Sequence, residues 1–250
     1  MRFAPGIGLL LTLGAALWSR AAAEDMQVET GDGVVIRGSY YAPSSSSAPA
    51  LLLTHMLRKN RESWADFARF AQERGFAVLA IDLRGHGQST QSEKGPMRES
   101  SFVEADFAAM KLDVAAAVQW LRSRPEIAPR SISLVGASIG ANVALNYAAE
   151  DSLIAAVALI SPGETYRGVK AGPALQAYGP RAILMAAAED DNYSLVSVRK
   201  LESLATGATT VQIFPEGGHG TYLLESQPEL RGMILEFARA AARQNGSRSE

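Results

Sequence analysis

The chain contains no cysteine. That excludes disulfides, thiolate metal sites, a cysteine nucleophile and anchoring through a lipidated N-terminal cysteine. Histidine is almost as scarce, with only His55, His86 and His219. These lie far apart and lack a ligand spacing such as H-E-x-x-H, so neither a metal nor a cofactor is expected. Charge of one sign is also lacking: the formal net charge is -2. Such a balance gives no general attraction to nucleic acid or anionic lipid, and neither is expected as a partner. Beyond the N-terminal segment, no apolar run approaches the roughly 20 residues of a membrane span. What is present is an ordinary globular mixture, 47% hydrophobic and 20% charged. It is long enough for one sizeable domain and too short for two.

The first residues read as an export signal. Arg2 supplies a positive start, Ile7 to Trp18 is nearly uncharged, and Ala21-Ala22-Ala23 offers small residues before Glu24 and Asp25. The apolar run is short for a membrane anchor. Residues 1–23 are therefore expected to be removed, leaving 24–250 as one exported domain, periplasmic or secreted.

Within that domain, strand-like runs alternate with helical patterns. Met26 to Glu29 and Val34 to Tyr41 read as a hairpin around Gly31-Asp32-Gly33, and Pro43 to Pro49 as a surface loop. Ala50 to Thr54, Phe76 to Ile81, Ser131 to Val135, Ala155 to Ile160, Arg181 to Ala187 and Thr209 to Phe214 read as buried strands. Helices are expected over Arg61 to Arg74, Phe102 to Arg122, Ile139 to Ala149 and Ser194 to Leu204, and within Thr221 to Arg243. The tail from Gln244 is expected to fray. The alternation predicts an α/β fold: a mostly parallel central sheet of about eight strands flanked by helices. A ligand should then bind at the carboxyl ends of the strands.

Gly136-Ala137-Ser138-Ile139-Gly140 is a GxSxG motif. In a chain with 22 glycines the pattern alone is weak, but this copy falls where a strand gives way to a helix. A sharp turn there would expose the Ser138 hydroxyl above the sheet, and small neighbours would avoid a clash. The Ile139 N–H, at the helix start, would face a developing oxyanion. A serine nucleophile needs a base. His219 lies just past the last strand, in Gly217-Gly218-His219-Gly220, where glycines suit a loop that presents an imidazole. An orienting carboxylate is expected after the strand ending near Ala187, where Glu189, Asp190 and Asp191 compete. The other two would be solvated or would cap the helix near Ser194.

With these motifs the chain resembles the α/β-hydrolase superfamily. The matching stretches are Leu53-Thr54-His55-Met56-Leu57, Asp82-Leu83-Arg84-Gly85-His86-Gly87-Gln88-Ser89, Gly136 to Gly140, Glu189-Asp190-Asp191 and Gly218-His219-Gly220. Members often carry Gly-x-x-Asp after the acid-bearing strand. Matching Ala188 to that glycine makes Asp191 the acid, with Asp190 second. The superfamily's His-Gly-x motif maps onto His55, Met56 and Leu57, so the resemblance implies Leu57 as second oxyanion donor, with Met56 the alternative. His55 and His86 are then structural. Members often insert a cap between the strands ending near Ile160 and starting near Arg181. Here Ser161 to Pro180 is short, rich in Gly and Pro, and leaves no room for a large cap. The resemblance is thus to cap-less branches, esterase and dienelactone-hydrolase-like or serine-aminopeptidase-like.

The site is expected to be open and walled by loops, with Met56, Tyr166 and Tyr193 as substrate contacts and Leu57, Arg58 and Arg167 beside them. Arg58, Lys59 and Arg61 form a basic run that either attracts a carboxylate substrate or is simply solvated. The expected activity is that of a serine hydrolase on small carboxylic esters, through an acyl-enzyme on Ser138. The alternatives are a serine aminopeptidase-type peptidase, which would need acidic groups to hold an amine, and a catalytically silent binding protein of the same fold.

Overall fold

The computed structural model describes residues 23–246. The export segment expected over 1–23 lies outside the described residues, apart from Ala23. β1 (Glu24–Glu29) and β2 (Val34–Tyr41) form an antiparallel hairpin with Val28 opposite Ile36. β3 (Ala48–Thr54), β4 (Ala77–Ile81), β5 (Ile127–Ala137), β6 (Val157–Ile160), β7 (Ile183–Ala188) and β8 (Thr209–Phe214) run parallel. Across the sheet the order is β1-β2-β4-β3-β5-β6-β7-β8. The two-residue strands Gln91–Ser92 and Gly95–Pro96 add to the edge beside β2.

The helices are α1 (Ala65–Gln72), α2 (Glu104–Arg122), α3 (Ile139–Glu150), α4 (Gly172–Tyr178), α5 (Asn192–Leu204), α6 (Thr221–Ser226) and α7 (Pro228–Gly246). Strand side chains alternate between faces, so each central strand serves two cores. Ala50 and Leu52 of β3 join Phe107, Met110, Val114, Val118 and Leu121 of α2 and the apolar residues of α3, α4 and α5. Leu51 and Leu53 join Trp64, Phe67, Ala68 and Ala71, together with Leu230, Ile234 and Ala238 of α7.

The elements differ from the sequence reading mainly at their ends. β3 starts at Ala48, so the loop after β2 is shorter than expected and Pro49 lies within a strand. The Arg61–Trp64 turn is 3-10, with Asn60 capping it through the Glu62 N–H (2.9 Å). The C-terminal helical region splits in two, because Pro228 starts a new helix. That helix carries on to Gly246 and so takes in the first residues of the tail expected to fray, the rest of which lies outside the described residues. The segment from Ser161 to Pro180 also has structure of its own: a hairpin pairing Thr165–Tyr166 with Val169–Lys170, then α4.

The parallel strands end along one edge, and the loops after β3, β5, β6, β7 and β8 gather there. The loop after β4 is fixed by charge. Arg84 makes two bonds to Asp32 (2.7 and 3.0 Å) and donates to the buried Asp113 (2.8 Å). The Asp82 carboxylate gathers the Arg61 and Gln88 N–H groups (2.7 and 2.9 Å) and the Arg61 guanidinium.

Candidate active site

Ser138 stands between β5 and α3 with φ 56° and ψ −123°. For a residue with a Cβ this backbone costs about 1–3 kcal/mol, so the surroundings must enforce it. They do so on both sides. The Ser138 N–H donates to the Ile160 carbonyl (2.9 Å), and its carbonyl accepts from Ala141 and Asn142 (2.9 and 3.3 Å). The motif glycines are required by space and not by φ. A Cβ on Gly136 would run into the Gly140 carbonyl and the Ala141 backbone; one on Gly140 would run into the Thr54 and His55 carbonyls.

The loop after β8 delivers His219. Its Nε2 lies 2.7 Å from Ser138 Oγ, and its Nδ1 lies 2.7 Å from Asp191 Oδ2. A carboxylate only accepts, so Nδ1–H donates to Asp191 and the Nε2 lone pair is left to accept the Ser138 hydroxyl. Burial pushes the Asp191 carboxyl up, but hydrogen bonds from His219 and Ser194 outweigh it and hold it below the ordinary aspartate value. Asp191 also caps α5. Capping was expected of a different carboxylate in this loop. Asp190 instead accepts from the Gly217 and Gly218 N–H groups (3.2 and 3.0 Å), and Glu189 is exposed.

Two further residues support the imidazole. Ser161, buried with φ 50°, accepts the Gly220 N–H at Oγ (2.9 Å). Ser194 Oγ lies 3.5 Å from His219 Nδ1 and 3.2 Å from the Tyr166 hydroxyl. Neither residue was found by sequence reasoning. Ser194 carried a signal, sitting in the first turn after the acid loop; Ser161 carried none.

The loop after β3 is set by His55, which is fully buried. Its Nδ1 bonds the Met56 carbonyl (2.8 Å) and its Nε2 accepts the Leu83 N–H (3.0 Å). That pattern requires the neutral, Nδ1-protonated ring. Burial, and then the His86 ring edge-on at 4.9 Å, push its pKa down to about 4. The Met56 carbonyl also accepts from Lys59 (3.1 Å) across a turn with Arg58 at φ 61°. In a trans peptide the N–H points opposite the carbonyl, so the Leu57 N–H faces away from His55 and Lys59. Ile139 is the first residue of α3, and its N–H has no intrahelical acceptor.

Met56, Leu57, Ser138, Ile139, Thr165, Tyr166, Arg167 and His219 line a cavity of about 320 Å³. Burial pushes the Tyr166 hydroxyl up to about 12. Tyr193, expected as a substrate contact, does not line this cavity. Its hydroxyl donates to the Thr165 carbonyl (2.7 Å) and its ring packs edge-on against Tyr166, so it braces the hairpin from outside. The basic run does not line it either. Arg61 is taken up by Asp82, Lys59 lies over the Tyr222 ring, and Arg58 leans toward Glu99 (3.9 Å).

Against known proteins, residues 49–182 match the family model of the alpha/beta hydrolase fold. The chain belongs to the α/β-hydrolase fold family. Among its relatives, a polyketide transferase of Stachybotrys chlorohalonatus is 33% identical over 144 residues, 57% of this chain and 46% of that protein. A serine hydrolase-like protein of Dictyostelium discoideum is 30% identical over 123 residues, 48% of this chain and 30% of that one. The chain thus spans less than half the length of these curated relatives. Among solved structures, the dienelactone hydrolase from Anabaena variabilis superposes with a TM-score of 0.71 at 18% identity, covering 87% of this chain and 97% of that one. This last likeness is one of fold. The α/β-hydrolase frame accounts for the clustering: the residues now gathered come from the loops after β3, β5, β6, β7 and β8.

Proposed function

We propose that the protein is a serine hydrolase of carboxylic esters. One observation carries the reading: an unbroken hydrogen-bond chain from Ser138 Oγ through His219 to Asp191, each step 2.7 Å. Ser138 Oγ attacks the ester carbonyl carbon while His219 Nε2 takes its proton. The negative charge that develops on the carbonyl oxygen is met by the Ile139 and Leu57 N–H groups. Asp191 holds the ring in its Nδ1–H tautomer and stabilises the imidazolium. The imidazolium then protonates the leaving alkoxide, which departs as alcohol and leaves an acyl group on Ser138. Water enters, gives a proton to His219 and attacks the acyl carbon. Collapse of that intermediate returns the proton to Ser138 and releases the acid.

The test is Ser138→Ala. Turnover of p-nitrophenyl acetate should fall by on the order of 10⁶, and labelling by a fluorophosphonate should vanish while the circular dichroism spectrum is kept. Near-normal turnover by the alanine variant would sink the serine mechanism. A second reading has specific support, since four relatives carry the name of a polyketide transferase. The acyl-enzyme would then pass its acyl group to an alcohol or amine and not to water. Graded additions of such acceptors, with the ester or amide product weighed against the free acid, decide between the two.

A further inference from the structure

The Thr165–Lys170 hairpin brings Arg167 to the wall of the Ser138 cavity, while its other cation, Lys170, lies outside that lining. Its tip is Arg167-Gly168, with φ 50° and 82°. Glycine fits both positions freely, whereas an arginine there carries strain. Strain of this kind persists only where the surroundings over-determine the backbone. Here they do. The buried Asn142 side chain donates to the Gly163 and Val169 carbonyls (2.9 and 2.8 Å), and Asn146 donates to the Lys170 carbonyl (2.9 Å). Both asparagines belong to α3, the helix that starts directly after Ser138. The nucleophile and the hairpin are thereby fixed to one rigid element.

Arg167 lines the Ser138 cavity. Its guanidinium lies over the Phe107 ring at 5.9 Å, and among the described residues no carboxylate comes within ion-pair distance of it. Glu104 packs beneath Gly168 without pairing to Arg167. The other cations near the cavity mouth, Arg58, Lys59 and Arg61, already have partners.

We infer that Arg167 is a specificity residue that binds a carboxylate on the substrate, so that the preferred esters are anionic. The guanidinium fork suits a carboxylate in two-point contact, and a charge-assisted hydrogen bond of this kind is worth roughly 10-fold or more in selectivity. The inference rests on the acyl-enzyme reading proposed above, and the experiment separates the two. kcat/KM is measured for p-nitrophenyl hemisuccinate against p-nitrophenyl butyrate, which puts the charge on the acyl side. It is measured also for 4-carboxyphenyl acetate against 4-carbamoylphenyl acetate, which puts it on the leaving group. The unsubstituted protein should favour the anionic member of one pair. Arg167→Gln should lower that ratio by roughly 10-fold, Arg167→Lys by less, and Arg58→Gln should leave it in place. If the glutamine variant does not fold, Arg167→Gly, which relieves the positive φ, carries the same test. No anionic preference in either pair, a ratio untouched by Arg167→Gln, or an equal drop in Arg58→Gln would overturn the inference. Fluorophosphonate labelling of the unsubstituted protein is scored alongside. Its absence would fail the serine mechanism; its presence without an Arg167-dependent ratio would fail this inference alone.

Discussion

At the scale of single residues, the acid loop offers the sharpest contrast. Asp190 and Asp191 are neighbours of identical chemistry, yet one bonds the imidazole and the other bonds two backbone amides. Asp191→Asn should lower kcat on a p-nitrophenyl ester by on the order of 10⁴, because an amide in place of the carboxylate spoils the tautomer and the stabilisation of the imidazolium. Asp190→Asn should cost far less, since it weakens only the support of the Gly217–Gly218 loop. The reverse ranking in a side-by-side kcat measurement would reassign the acid. Because Asp191 is held below the ordinary aspartate value, it stays ionised through the mildly acidic range. Ser138 and His219 were legible in the sequence because each sits in a pattern, glycines at fixed spacing around a reactive side chain. Between Asp190 and Asp191 the residues alone left the choice open, and only the resemblance favoured Asp191. Ser161 and Asn142 were not legible at all. A serine after a strand and an asparagine in a helix look ordinary until the chain folds back on them.

At the scale of elements, the packing of α3 against the end of β3 is tight enough to test. A Cβ on Gly140 would meet the Thr54 and His55 carbonyls, which cannot move independently because Thr54 Oγ1 also donates to the Gly140 carbonyl (2.9 Å). Gly140→Ala should therefore destabilise by about 1–3 kcal/mol in urea unfolding, despite the better helix propensity of alanine. No loss would show that the two elements can slide apart. His55 couples the loops after β3 and β4. Its neutral ring has a folded pKa of about 4, against about 6.5 unfolded. The unfolded chain therefore binds the extra proton first as pH falls. Stability is complete above about 6.5 and is lost as pH drops toward 4, by on the order of 3 kcal/mol. Urea unfolding at pH 7.5 and 4.5 should show this loss, and His55→Gln should show a shallower difference between the two. An equal slope in both proteins would mean that other groups govern the acid response. The strands and helices were legible through periodicity, with ends off by a few residues where propensity is flat. The 161–180 hairpin was missed because its strands are two residues long, too short for any period to register.

At the scale of the whole molecule, a mostly parallel sheet of about eight strands was foreseeable from alternation, but its two short edge strands and the strand order were not. Runs such as Leu51-Leu52-Leu53 and Val78-Leu79-Ala80 are buried on both faces, and nothing in such a run names its neighbour. The missing cap was legible, as a simple shortage of residues between β6 and β7. Its consequence for substrate size can be argued from the cavity. The space above Ser138 is about 320 Å³. One wall is Tyr166, held by Ser161 and Ser194, and another is the loop carrying Met56 and Leu57. A buried methylene is worth about 0.8 kcal/mol, so a deep apolar tunnel would make kcat/KM climb about fourfold with each added carbon. Here an acyl chain that outgrows the cavity meets water or the Arg167 guanidinium, and further carbons gain nothing. Among neutral p-nitrophenyl esters, kcat/KM should peak between acetate and butyrate and fall for octanoate and beyond. Emulsified lipid should give no jump in rate, because the described residues hold no multi-helix lid for an interface to open. A steady rise to long chains would mean that an apolar groove outside the cavity takes the tail.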